Sequence, residues 1–187
     1  MDALLLAPGA GAGRDQPGLV AIDRAVTALG LVVERFDFPY RLAGRRAPDR
    51  LPVLSAALAE AARGLAARAR TDASRVALGG RSMGGRVASV AVADGLVAGA
   101  LVLVSYPLHP PGRPEKLRVE HFSRIEVPCL FVSGSRDAFA TPAELEKETA
   151  AIPGEVTLVI LDGGDHGLTR HVEAAAETVS SWIAARL

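Results

Sequence analysis

The sequence predicts a three-layer α/β domain, a parallel β-sheet covered by helices on both faces. Three features of the 187-residue chain lead there. Six short aliphatic or β-branched runs recur along it, most of them apolar throughout rather than alternating, as strands covered on both faces must be. Segments with helical spacing lie between the runs, so the strands are parallel and joined by right-handed crossovers. No Ser/Gly linker, repeat or low-complexity stretch divides the chain, so residues 1–187 read as one domain.

The expected strands are residues 3–7 (ALLLA), 31–36 (LVVERF), 75–79 (RVALG), 100–104 (ALVLV), 128–133 (PCLFVS) and 156–161 (VTLVIL). In 49–70, Leu51, Leu54, Leu58, Ala61, Leu65 and Ala69 fall on one helical stripe. In 169–186 the same spacing runs through Val172, Ala176, Val179, Ile183 and Leu187. Residues 86–94 also read as helix, and Thr141-Pro142-Ala143-Glu144 reads as a capping box with proline at the first helical position.

Composition narrows the classes of function. Hydrophobic residues make up 49 % and charged residues 22 %, with mean hydropathy +0.24, which excludes a disordered chain. Lys+Arg and Asp+Glu are both 21, so there is no net field to gather nucleic acid or anionic lipid, and neither is an expected partner. The lone Cys129 sits in an apolar run and reads as a buried strand thiol. The N-terminal MDALLLAPGAG has an acid where a signal peptide is basic, and the longest apolar run, residues 96–104, is about half a membrane span. A soluble, cytoplasmic protein with no membrane association is expected.

Ligands of parallel sheets bind beyond the carboxyl ends of the strands, so the residues after each strand carry the functional reading. Gly80-x-Ser82-x-Gly84 follows the third strand and precedes a helical segment, as a nucleophile elbow requires. A side chain at either glycine would collide with the neighbouring strand or helix, and the sharp turn holds the serine under strain. A serine hydroxyl needs a base, and His166, in the Gly-rich loop after the last strand, is placed to supply it. The other histidines, His109, His121 and His171, read as solvated. The base needs a carboxylate, and Asp137, directly after the fifth strand, provides one. Asp162 and Asp165 are rivals that read better as turn formers. Two N–H donors should face a developing oxyanion: Met83, at the start of the following helix, and Ala10, in the loop after the first strand, where Gly9 and Gly11 let the backbone approach closely.

The same loop invites comparison with a dinucleotide fingerprint, but the third glycine should stand at position 14, which is Arg14. No Gly-Lys-Ser/Thr occurs and no Cys/His cluster has metal spacing, so neither a cofactor nor a metal is expected.

Four strings carry a family resemblance: residues 79–86 (GGRSMGGR), 106–112 (YPLHPPG), 134–137 (GSRD) and 162–166 (DGGDH). By these the chain resembles the α/β-hydrolase superfamily. More narrowly it is similar to the small dienelactone-hydrolase-related proteins, which include a testis-expressed hydrolase and a subunit of the non-specific-lethal chromatin complex. The resemblance implies a triad of Ser82, Asp137 and His166, and a six-stranded sheet ordered 2-1-3-4-5-6, without the first two strands of larger relatives. Pro8 stands where relatives commonly have histidine, and residues 137–140 read DAFA where they often read Asp-Pro-Phe-Gly.

The sequence thus points to a cofactor-free serine hydrolase that cleaves a small ester or thioester through an acyl-enzyme. The competing reading is a non-catalytic interaction module on the same fold. Only 23 residues, 105–127, separate the fourth and fifth strands, which leaves no room for a lid and predicts an open pocket. Gly9, Gly11, Tyr106 and Phe139 are the expected substrate contacts. Arg81 and Arg86, which flank the serine, and the arginines of residues 41–50 read as a solvated face.

Overall fold

In the computed structural model, which describes residues 1–187, six strands and six helices follow one another along the chain. Strand β1 (Ala3–Ala7) leads through α1 (Pro17–Thr27) to β2 (Val32–Arg35). A short α2 (Pro39–Leu42) and a long α3 (Leu51–Ala69) then return the chain to β3 (Val76–Arg81). Helix α4 (Met83–Ala93) joins β3 to β4 (Ala100–Val104), and an irregular segment joins β4 to β5 (Cys129–Gly134). Helix α5 (Pro142–Thr149), β6 (Val156–Leu161) and α6 (Val172–Ala184) complete it. All pairings are parallel and the order is β2-β1-β3-β4-β5-β6, as expected.

The uniformly apolar strands are explained by the layers. In β1, Ala3, Leu5 and Ala7 join the core beneath α3, α4 and α5, while Leu4 and Leu6 join the core beneath α1 and α6. All five residues are buried. Each fully buried leucine contributes about 1.5–3 kcal/mol relative to exposure, so a charge on either face of β1 would break the sheet centre.

The helix signals hold with two adjustments. Leu54, Leu58 and Leu65 of α3 are buried, but Ala62 and Ala66 complete the inner face rather than Ala61 and Ala69, which are half-buried. Ala176, Val179 and Ile183 of α6 are buried, whereas Leu187 lies beyond the helix and is exposed. The last turn tightens there, with Arg186 N–H donating to Ile183 O at 2.8 Å, and this rotates Leu187 off the stripe. The capping box is complete. Thr141 Oγ1 accepts from Glu144 N–H, Glu144 Oε2 accepts from Thr141 N–H at 2.8 Å, and Pro142 opens the helix. Cys129 is buried, which pushes its thiol up to about 12. No helix is long and apolar enough to cross a membrane.

Candidate active site

Ser82 occupies the turn between β3 and α4 with φ +53° and ψ −118°. A backbone of this kind on a residue with a Cβ costs on the order of 1–3 kcal/mol. Close approach dictates the flanking glycines. A Cβ on Gly80 would lie 2.0 Å from Ala7 O, and one on Gly84 would lie 2.2 Å from the same carbonyl. Both glycines therefore let the elbow press against the end of β1, which sets Ser82 beside the loop after that strand.

The three residues expected to act together are in contact. Ser82 Oγ lies 2.9 Å from His166 Nε2, and His166 Nδ1 lies 2.8 and 2.9 Å from Asp137 Oδ2 and Oδ1. A carboxylate can only accept, so Nδ1 carries the ring proton and the Nε2 lone pair faces the serine hydroxyl. Asp137 is 3 % exposed and also accepts from Phe139 N–H at 2.8 Å. Phe139 stacks on the imidazole, with ring centroids 4.0 Å apart. The loops bearing acid and base meet backbone to backbone, since a Cβ on Gly134 would lie 2.1 Å from Gly164 O.

The rival acids stand aside. Asp162 accepts from the Ser135 hydroxyl at 3.2 Å, and Asp165 is exposed; neither bonds His166. Arg81 departs from its expected solvated role. It is half-buried, which holds its guanidinium below the usual arginine range against the opposing charges of Asp137 and Asp165, and it donates to His166 O at 2.6 Å.

The loop after β1 shows a division of labour. Gly9 N–H donates to Gln16 Oε1 at 3.2 Å and Gly11 N–H to Tyr40 Oη at 3.1 Å. The N–H groups of Ala10 and Met83 have no acceptor within the chain, and both residues line the same cavity as Ser82. That cavity encloses about 500 Å³ and is also walled by Leu51 and Leu54 of α3 and by Phe139. Gln16 and Tyr40, the props of the loop, carry no sequence signal that would have singled them out for this task.

Two expectations fail here. Tyr106 does not line the cavity. Ser105 leaves β4 with φ +50°, and the tyrosine is buried in the core between Phe122 and Phe131. Gly9 and Gly11 shape the loop through the N–H bonds they donate to Gln16 and Tyr40. His109 and His121 are buried rather than solvated. His109 Nδ1 donates to Pro110 O at 2.8 Å, and His121 Nε2 lies 2.8 Å from Ser89 Oγ. Burial, reinforced by the Arg86 charge, pushes His121 down to about 4. No group of three His, Cys, Asp or Glu side chains is placed to hold a metal ion.

Solved structures share this architecture. A serine hydrolase homologue from Coxiella burnetii superposes with TM-score 0.80 at 20 % identity, over 97 % of this chain and 85 % of that one. A dienelactone hydrolase from Anabaena variabilis gives 0.77 at 21 % identity, over 98 % and 85 %. An α/β serine hydrolase without a lid, from Xanthomonas campestris, gives 0.77 at 20 % identity, over 100 % and 82 %. At such identities the likeness is one of fold. The family model for the α/β hydrolase domain matches residues 1–186, and the chain belongs to that family.

Proposed function

We propose that the protein is a serine hydrolase that cleaves a small ester or thioester through an acyl-enzyme. The observation that carries the reading is the continuous chain from Ser82 Oγ through His166 to the buried Asp137, hung on a serine of strained backbone. Ser82 Oγ attacks the substrate carbonyl carbon while its proton passes to His166 Nε2, and the carbonyl π electrons move onto oxygen. The free N–H groups of Met83 and Ala10 receive that oxyanion, Met83 from the positive end of α4. Collapse restores the carbonyl and expels the alkoxide or thiolate, which takes the proton from His166. Water then repeats the sequence on the acyl-serine, and the acid product leaves.

Asp137 accepts from Nδ1–H throughout, so that the imidazolium is stabilised and its orientation kept. No α-helix intervenes between β4 and β5 to cover the cavity, which fits a small substrate. The kinship with the small dienelactone-hydrolase-related proteins rests on the four strings quoted above. A fluorophosphonate probe tests the reading directly. It should add covalently to the peptide containing Ser82, and labelling elsewhere, or none, would refute the assignment.

A further inference from the structure

Helix α4 places a second functional group one turn beyond the serine. Arg86 stands one helical turn beyond Ser82, its N–H donating to Ser82 O at 3.1 Å. It lines the same cavity as Ser82 and Met83. Arg118 reaches that cavity from the segment between β4 and β5. Neither guanidinium has a carboxylate within ion-pairing distance, and Arg86 Nε is buried with no acceptor. The one carboxylate on the cavity wall, Asp49, is engaged by Arg45 at 2.8 Å. Burial and the like charge of Arg86 hold Arg118 below the usual arginine range.

Two cations converging on a partly buried cavity repel each other and lose hydration, and nothing within the chain offsets either loss. Eight of the nineteen arginines are ion-paired, such as Arg35 with Asp15 and Asp23, or Arg124 with Asp94, and of the other eleven Arg86 and Arg118 are the two that line this cavity. We infer that Arg86 and Arg118 form an oxyanion subsite, and that the substrate is an ester or thioester bearing a second, ionised group, a carboxylate or phosphate, seated on these guanidiniums while its carbonyl lies at Ser82. The planar guanidinium fork matches both kinds of oxyanion. Apolar walls from Leu51, Leu54 and Val87 fit a short methylene spacer between carbonyl and anion. The binding half of this inference is independent of chemistry; the cleavage half rests on the Ser82 reading.

Two matched substrate pairs test it: the p-nitrophenyl half-ester of glutarate against p-nitrophenyl valerate, and S-butanoyl-2-mercaptoethyl phosphate against S-butanoyl-2-mercaptoethanol. In the wild type at least one charged member should be preferred in kcat/KM by roughly tenfold or more, through KM, as expected for a charge-assisted hydrogen bond. The pair that shows the preference identifies the oxyanion as carboxylate or phosphate. Arg86→Gln and Arg118→Gln should each shrink that ratio by about tenfold, and the corresponding lysine variants should recover part of it. Separately, glutarate and inorganic phosphate are titrated into Ser82→Ala protein with each arginine intact or replaced by glutamine, with thermal melts to confirm folding. Cleavage at Ser82 without charge preference in either pair, or a preference that survives both glutamine variants, overturns the subsite. Arginine-dependent anion binding in a protein that cleaves none of the four substrates would keep the subsite and overturn the hydrolase reading.

Discussion

Helix α4 and the turn before it carry two serine–histidine pairs, and only one has the geometry of a nucleophile. Ser82 lies 2.9 Å from His166 and Ser89 lies 2.8 Å from His121, so distance does not separate them. The direction of the proton does. His166 has a carboxylate on its far nitrogen, which leaves a lone pair for Ser82. The Ser89 hydroxyl instead donates to Arg86 O at 2.9 Å, a group that can only accept, so its lone pairs face His121 Nε2–H and Tyr106 Oη. Ser89 is fully buried at its helix, whereas Ser82 opens on a cavity. A Ser–His contact becomes an activated nucleophile only when a third group fixes the tautomer and solvent space meets the oxygen.

The largest expected break between the pairs is catalytic. Ser82→Ala should lower turnover of p-nitrophenyl acetate by roughly 10⁴–10⁶ with the fold intact. Ser89→Ala should stay within about twofold in rate yet lose about 1–3 kcal/mol of stability, since it leaves buried polar atoms without partners. Steady-state kinetics with urea melts on both variants would check this, and a comparable rate loss from Ser89→Ala would erase the distinction.

Next comes the carboxylate. Asp137→Asn should present the wrong histidine tautomer and cost on the order of 10⁴ in turnover. Asp162→Asn and Asp165→Asn should each cost less than about tenfold, because neither touches the ring. A collapse in Asp165→Asn beside an active Asp137→Asn enzyme would reverse the assignment.

A smaller loss should follow from Arg81→Gln, which releases the His166 carbonyl. A drop of about tenfold in kcat, with KM little changed and partial recovery in Arg81→Lys, would mark Arg81 as a positioning residue. A loss confined to thermal stability would make it merely structural.

The mildest contrast lies in stability. His121 is held neutral down to about 4, below the value of 6.5 it has when unfolded. The unfolded chain therefore binds more protons between these values, so this group's contribution to stability is intact above pH 6.5 and declines as pH falls toward 4. His121→Gln should flatten that decline, by on the order of 5 °C in Tm across the window. Parallel melting curves at the two pH values would show it, and an unchanged slope would place the sensitivity elsewhere.

Legibility in the sequence followed the range of the interaction. Strands β1, β3, β4 and β5 were readable because burial on both faces leaves local apolar runs, the half-buried edge strands β2 and β6 because they keep short aliphatic runs, and the α5 start because its capping box spans four adjacent residues. Ser82, Asp137 and His166 could be brought together from far apart because parallel topology gathers strand ends on one edge. The burial of His121 had no such guide. Its partners, Ser89 and Tyr106, lie 32 and 15 residues away, and no periodicity links them. Arg118 reached the cavity from an irregular segment, and α2, at four residues, is too short to show a helical period.

The positive φ of Ser82 has a thermodynamic corollary. Alanine at position 82 would keep the awkward backbone, while glycine would adopt it freely. Releasing about 1–3 kcal/mol of strain, less the roughly 0.5–1 kcal/mol of chain entropy that glycine loses on folding, leaves Ser82→Gly about 1 kcal/mol more stable than Ser82→Ala. That difference should raise Tm by about 2–4 °C for a chain of this size. A pair of melting curves on these two variants would thus measure how much heat resistance the fold forgoes in order to hold a serine in this turn, without any knowledge of the substrate.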